Sequence, residues 1–282
     1  MHYRVNLKKV LKFFPGKPDK INRIDIKYKR QIDKNFVNSI YSFIKDSLEK
    51  TTYAGLTKNV VLGLSGGIDS VTMALLCKNA LGKAKVTCII VDLGLKEHEE
   101  QTKFAINVAK TLDLGFKVVK SSKLLRDYRA EMRTSGPFTN TNIMTRIIHN
   151  LVFQFADSKL AAVVSTIDKS EILLGRHMEH FYGHFAPLVN LYKTEVYNLA
   201  KFLRVPEDVI RREPGCVESW FDKDIFGVSY DYLDPILYLI SEKNQSAKNI
   251  AQKYDIDGGW LKRVERRVRS QMWRMRTREL KF

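Results

Sequence analysis

Apolar positions change their period along this chain, and each change marks an element. From Gln31 to Lys50 they recur at helical spacing. Phe36, Ile40, Phe43, Ile44 and Leu48, with Ser47, fall on one face and predict an amphipathic helix. Further on come short runs that are apolar almost throughout: Val60–Leu64, Val86–Val91, Phe116–Val119 and Ala161–Thr166. Between them lie segments of helical spacing at 70–81, at 97–112 (Phe104, Ala105, Val108, Ala109 and Leu112 on one face) and at about 141–157, the last after a loop with Gly136 and Pro137. A helix is predicted at 193–204, and two or three more fill 231–282. Strands apolar on both faces that alternate with helices predict a parallel sheet covered on both sides, a doubly wound, Rossmann-like α/β fold with a helical C-terminal end. No internal repeat is visible.

Charge changes the picture at the two ends. The net charge is +17, and residues 1–35 hold 11 Lys and Arg against 3 Asp and Glu, while residues 261–282 hold 9 against 2. Solvated faces explain this, and so does an anion-facing surface; charge alone leaves both open. Residues 1–30 mix basic and apolar residues around Pro15 and Pro18 and read as an extended basic arm, with 31–282 as a single domain. No apolar run reaches the roughly 18–20 residues of a membrane span, and the N-terminus has no apolar core of a secretory signal. Three scattered cysteines, Cys77, Cys88 and Cys216, exclude a disulfide scaffold and fit a reducing cytoplasm.

The chemistry starts at Ser65-Gly66-Gly67-Ile68-Asp69-Ser70, which follows one predicted strand and opens a helix. In an α/β sheet that is where ligands sit, at the strand carboxyl ends. Two glycines let the backbone turn sharply near a phosphate, Ser65 and Ser70 offer hydroxyls, and the helix start aims free N–H groups at an anion. A carboxylate at Asp69 suits Mg²⁺ bridging phosphates, or else a helix cap. The motif resembles the PP-loop of the N-type ATP pyrophosphatases, enzymes of the adenine-nucleotide alpha hydrolase fold that split ATP between its α- and β-phosphates. It is no Walker loop.

Beyond the loop the chain resembles the ammonia-dependent NAD synthetases from about Gln31 to about Arg276. Phe138 and Asn142-Ile143-Met144-Thr145-Arg146 are similar to that family's F-x-x-x-N-x-x-A-R segment. Ser165-Thr166-Ile167-Asp168-Lys169-Ser170-Glu171-Ile172-Leu173-Leu174-Gly175 is similar to GTxNKSELLLG, and Pro187 with Leu191-Tyr192-Lys193-Thr194-Glu195-Val196 to its P…LYKTEV block. Gly227-Val228-Ser229-Tyr230 matches a GISY turn. The resemblance implies ATP held by Gly63, Ser65, Gly66, Gly67, Asp69, Ser70 and Thr166, with Mg²⁺ on Asp69 and Glu171 and catalysis by Asp69, Glu171 and Lys193. It implies an acceptor site with Phe138, Asn142 and Arg146, to which the residues of the altered loop add His180 and His184. It further implies a homodimer that adenylylates deamido-NAD and transfers ammonia to it, the ammonia being free or delivered by a separate glutaminase subunit.

Taken by themselves, these residues also have plainer readings. Glu171 suits a solvated first-turn carboxylate, Lys193 a snorkelling lysine, and Arg146 a surface ion pair. The acceptor side departs from the family. The family's YFTKYGDGGxD loop is here the shorter Arg176-His177-Met178-Glu179-His180-Phe181-Tyr182-Gly183-His184, and PTADL or PSAGL is Pro214-Gly215-Cys216-Val217-Glu218. The same amidation on another carboxylate is therefore the alternative, and a tRNA-modifying PP-loop protein is the rival of another class. Nucleic acid is disfavoured, since neither a cysteine pair nor an added basic domain is present. His177, His180 and His184 lack the partners of a zinc site, and Cys216 lacks a base.

Overall fold

A computed structural model of the chain describes residues 11–133, 138–177, 183–215 and 221–275. It contains a four-stranded parallel sheet in the order β3-β2-β1-β4. The strands are β1 (Val60–Gly63), β2 (Val86–Asp92), β3 (Phe116–Lys120) and β4 (Ala162–Val163). Val60 of β1 pairs with Val86 on one side and with Ala162 on the other. The strand order therefore reverses at β1 and β4, and the loops after these two strands open into one crevice.

The residues of β1 alternate between two cores. Val60 and Leu62 pack with α1 (Lys34–Thr52), α2 (Ile68–Leu81) and α3 (Lys96–Thr111), while Val61 packs with Val152 and Ala156 of α5 (Thr139–Asp157). A strand buried on both faces must be apolar throughout, which is how β1 and β2 announce themselves in the sequence. A short α4 (Ser122–Met132) precedes α5, and α6 (Lys169–Leu174) follows β4. The chain continues through α7 (Lys193–Phe202), α8 (Glu207–Ile210), α9 (Asp222–Phe226), α10 (Tyr230–Ser241), α11 (Ala247–Tyr254) and α12 (Gly258–Met275).

Three points differ from the sequence expectation. Helices α4, α8 and α9 are additional. Strand β4 is shorter than Ala161–Thr166: Val164 still donates to Val61 O, but beyond Val163 the pairing passes to isolated bridges from Val164 to Gly183 and Phe185. Gly183 has φ +69°, and a Cβ there would lie 2.6 Å from Val163 O, so this close edge contact requires glycine. The described part of the basic arm is indeed without helix or strand from Pro15 to Arg30, yet it packs tightly. Phe14 and Ile24 are buried in one cluster with Phe226, Trp260 and Leu261. The Trp260 indole donates to Gly16 O at 2.7 Å, and Arg263 of α12 donates to Pro15 O at 2.9 Å. Part of the basic charge of the C-terminal end thus joins the two ends to each other.

Candidate active site

The PP-loop fills the gap between β1 and α2. Ser70 Oγ donates to Gly67 O at 3.0 Å and accepts from Ser65 N at 3.2 Å, and Ser65 Oγ accepts from Gly67 N at 3.2 Å. The two hydroxyls therefore brace the turn from within. Gly66 has φ +79°, and a Cβ on it would meet the Phe104 ring at 2.9 Å; packing of α3 beneath the loop excludes any other residue. Gly67 caps α2 without a side chain, so no side chain covers the first N–H groups of the helix. An uncovered helix start of this kind is suited to an anion. Gly63 ends β1 against Val152, and Thr166 lies half-buried in the loop after β4.

Across the crevice from the loop, three carboxylates converge on one ammonium. Lys193 Nζ lies 2.7 Å from Asp69 Oδ2, 2.7 Å from Asp168 Oδ2 and 3.1 Å from Glu171 Oε1. The Lys193 side chain is only 1% exposed, so it is no snorkelling surface lysine. Its position follows from local structure. Asp168 caps α6, accepting from Glu171 N at 2.8 Å, while Glu171 reaches back to Asp168 N. Ser170 Oγ accepts from Lys193 N at 2.9 Å and donates to Asp234 Oδ1 at 2.6 Å, and Asp234 Oδ2 accepts from Thr194 N at 2.8 Å. Buried Asp234 of α10 thereby ties the start of α6 to the start of α7, the two turns that carry Glu171 and Lys193.

The electrostatics are those of a cation site. Burial opposes the charge on Lys193, but Asp168, Asp69 and Glu171 outweigh it and hold the ammonium well above the ordinary lysine range. Burial raises the Asp168 carboxyl well above its usual range, and the charges of Glu171 and Asp69 add to this against Lys193. Burial likewise lifts Glu171. One ammonium cannot neutralise three carboxylates. Asp69 Oδ1 and Asp168 Oδ2 are buried without a hydrogen-bond partner, although the latter faces Lys193 as an ion pair. Asp69, Asp168 and Glu171 each offer an oxygen within 4.8 Å of the others.

A second depression, of about 310 Å³, lies at the start of α5. Phe138, Asn142 and Arg146 line it together with Tyr128, Met132 and Thr139. Arg146 is exposed and forms no ion pair among the described residues, so the surface-pair alternative is not realised. His184 lies apart from this pocket. Its Nδ1 accepts from Val163 N at 2.9 Å, and its ring stacks near Phe153 beside β4. His180 and Cys216 fall outside the described residues.

Residues 36–277 match the model of the NAD synthase family. The chain belongs to that family. The NH(3)-dependent NAD(+) synthetase of Thermococcus sibiricus is 32% identical over 81% of this chain and 89% of its own length. Among solved structures, the NH3-dependent NAD synthetase of Campylobacter jejuni, in complex with nitrate, is 25% identical with TM-score 0.69, over 89% of this chain and all of that one. The NMN synthetase of Francisella tularensis, at 21% identity and TM-score 0.72 over 90% of this chain and all of that one, shares the fold.

Within this NAD synthase fold, sequence reasoning paired Asp69 with Glu171 and missed Asp168, which the family block has as Asn. Asp168 has the look of an ordinary N-cap, which it also is. The only signal was the match itself, where a neutral position had become a carboxylate. Asp234 was missed as well, since it reaches the site through the Thr194 N–H, 40 residues away, and the Ser170 hydroxyl, 64 residues away. No helix among the described residues is long and apolar enough to cross a membrane.

Proposed function

We propose that this NAD synthase makes NAD by amidating deamido-NAD with ammonia, at the expense of ATP split to AMP and pyrophosphate. The observation that carries this reading is the convergence of Asp69, Asp168 and Glu171 on Lys193 beside an uncapped helix start, which suits a triphosphate and its counter-ion. The nicotinate carboxylate oxygen attacks the α-phosphorus of ATP, forming an acyl-adenylate as the bond to pyrophosphate breaks. Ammonia then attacks the acyl carbon and displaces AMP, giving up a proton. The loop N–H groups and Lys193 supply fixed positive charge for the leaving pyrophosphate, so catalysis is mainly positioning and charge neutralisation. The unpartnered Oδ1 of Asp69 and the surplus of carboxylates over ammonium fit Mg²⁺, which would be held by Asp69 and Glu171 with Asp168 beside them. When bound, the ion neutralises charge on the phosphates.

Phe138, Asn142 and Arg146 line the pocket for the acceptor, where Arg146 has the geometry to clamp a phosphate. The same reading makes the enzyme a cytoplasmic homodimer. Exposed Phe43 beside Phe36 and Ile40, in a groove of about 270 Å³, supports a subunit contact there. Nitrogen comes from free ammonia or from a separate glutaminase subunit.

A second reading keeps the chemistry and changes the acid. It is favoured by Arg176, which stands in the altered acceptor loop and is locked on Asp222 at 2.8 Å. One assay separates the two: AMP release with ATP, Mg²⁺ and ammonium, in the presence of deamido-NAD, nicotinate mononucleotide or a panel of other carboxylic acids. Turnover with deamido-NAD, abolished in Asp69→Asn and Glu171→Gln, is the expected result. Turnover with another acid alone replaces the first reading by the second.

A further inference from the structure

The match to the family begins at residue 36, so the arm lies outside it. Yet residues 28–30 of the arm grip the turn that carries Lys193. Arg30 N donates to Glu195 Oε1 at 2.7 Å, and Arg30 Nη1 lies 2.9 Å from Glu195 Oε2 and donates to Asn190 O at 3.0 Å. The Tyr28 hydroxyl pairs with Thr194 Oγ1 at 3.1 Å. Glu195 is fully buried, with a side-chain exposure of 0%. Besides Arg30, it accepts from Tyr192 N at 2.8 Å, closing the cap of α7.

We propose that Arg30 is a positioning residue for the ATP step: through Glu195 it fixes the first turn of α7, and with it Lys193 between Asp69 and Glu171. The need for such a clamp is electrostatic. Lys193 is the first residue of α7, where the helix dipole repels a cation. Asp234 and Ser170 hold the N–H groups of residues 193 and 194 from the core side. Glu195 holds Tyr192 N on the other side, and as a buried carboxylate it stays in place only while its charge is matched. Arg30 is the cation paired with it among the described residues. Without Arg30, Glu195 loses its charge partner and must shift toward water, which loosens the turn.

The inference rests on the ATP chemistry proposed above, so wild-type turnover is measured first with each acid, and the acid that supports AMP release is used throughout. Failure of deamido-NAD alone overturns the acceptor assignment and leaves the clamp testable. Arg30→Ala is expected to lower kcat about 10- to 100-fold, the usual effect of removing a partner that orients a site residue. KM for ATP should stay within about threefold, because the loop that grips ATP is untouched. Arg30→Lys should restore most of the turnover, and Lys27→Ala, which removes the same charge from the same arm, should match wild type. A kcat for Arg30→Ala within twofold of wild type overturns the proposal. So does a loss that Arg30→Lys fails to restore or that follows a lowered unfolding temperature. If Arg30→Ala does not fold, Glu195→Gln carries the same test, since it keeps the Tyr192 cap and removes the charge pair.

Discussion

The two halves of the crevice are built to different standards. On the side we assign to ATP, the main candidate groups are locked by one another. Lys193 is held by three carboxylates, Asp168 by the start of α6, and the loop by its own serines. On the side we assign to the acceptor, Arg146 lines an open pocket without an ionic partner among the described residues, and Phe138 is half-buried, edge-on to Phe13 and Phe14 of the arm. The difference follows from chemistry. Splitting ATP demands fixed charge at the phosphates whatever the acid, and such charge must be preorganised and dry. Recognising an acceptor needs shape and a few polar contacts, which the bound molecule itself can order. Departures from the family pattern accordingly weigh mostly on the second site, although Asp168 replaces an Asn at the first.

The largest expected effect breaks the tighter half. Lys193→Met leaves the buried Asp168 and the half-buried Asp69 and Glu171 facing one another. Pyrophosphate release should fall by about 10²–10³ at least, as loss of a main electrostatic contact does. Stability without divalent cation should fall by about 3–5 kcal/mol, the range for breaking a buried ion pair. Urea unfolding with and without millimolar Mg²⁺ checks the physical cause. The cation should restore part of the lost stability, and to a greater extent than in wild type. Equal Mg²⁺ responses in the two proteins would mean that the carboxylates do not form a cation site.

A smaller effect concerns the floor of the same half. Burial outweighs the hydrogen bonds from Ser170 and Thr194 and lifts the Asp234 carboxyl from 3.8 to about 6. The folded protein then holds this proton more tightly than the unfolded chain. Stability from this group is complete below pH ~4 and is lost as pH rises through about 6. The window of roughly two pH units corresponds to on the order of 3 kcal/mol. Asp234→Asn cannot ionise, so the stability of wild type relative to this variant should decline between those pH values and level off above them. Unfolding midpoints for both proteins at several pH values test this, and parallel curves would refute it.

The same contrast governs what the sequence could reveal. Strands β1 and β2 were legible because both of their faces are buried, and the PP-loop because strand, glycines and helix are contiguous. Asp69, Glu171 and Lys193 were legible as candidates for ATP chemistry, and Asp69 and Glu171 as a pair, but the contact of Lys193 with both was not, since it lies 124 and 22 residues from them. Asp168 was hidden behind its role as a helix cap. Arg30 and Phe13 were hidden because an irregular segment has no period, and nothing in a run of lysines tells a strap from a tail. With Arg30 on Glu195, removing residues 1–30 is expected to lower turnover.

The smallest effect belongs to the open half. Arg146 is exposed and unpaired among the described residues, so Arg146→Ala leaves no buried charge uncompensated and creates no cavity. Its folding stability should stay within about 0.5 kcal/mol of wild type, as for most surface substitutions. Its effect should appear only when the acceptor binds. A hydrogen bond to a charged group contributes about 1.5–3 kcal/mol, so KM for the acceptor should rise about 10- to 100-fold while KM for ATP is unmoved. This outcome would be the mirror image of Arg30→Ala, which should change kcat with KM for ATP held. Steady-state kinetics with each substrate varied in turn distinguishes them. If Arg146→Ala raises KM for ATP instead, then the pocket at the start of α5 holds part of ATP, and the division of the crevice into two halves fails at its acceptor end.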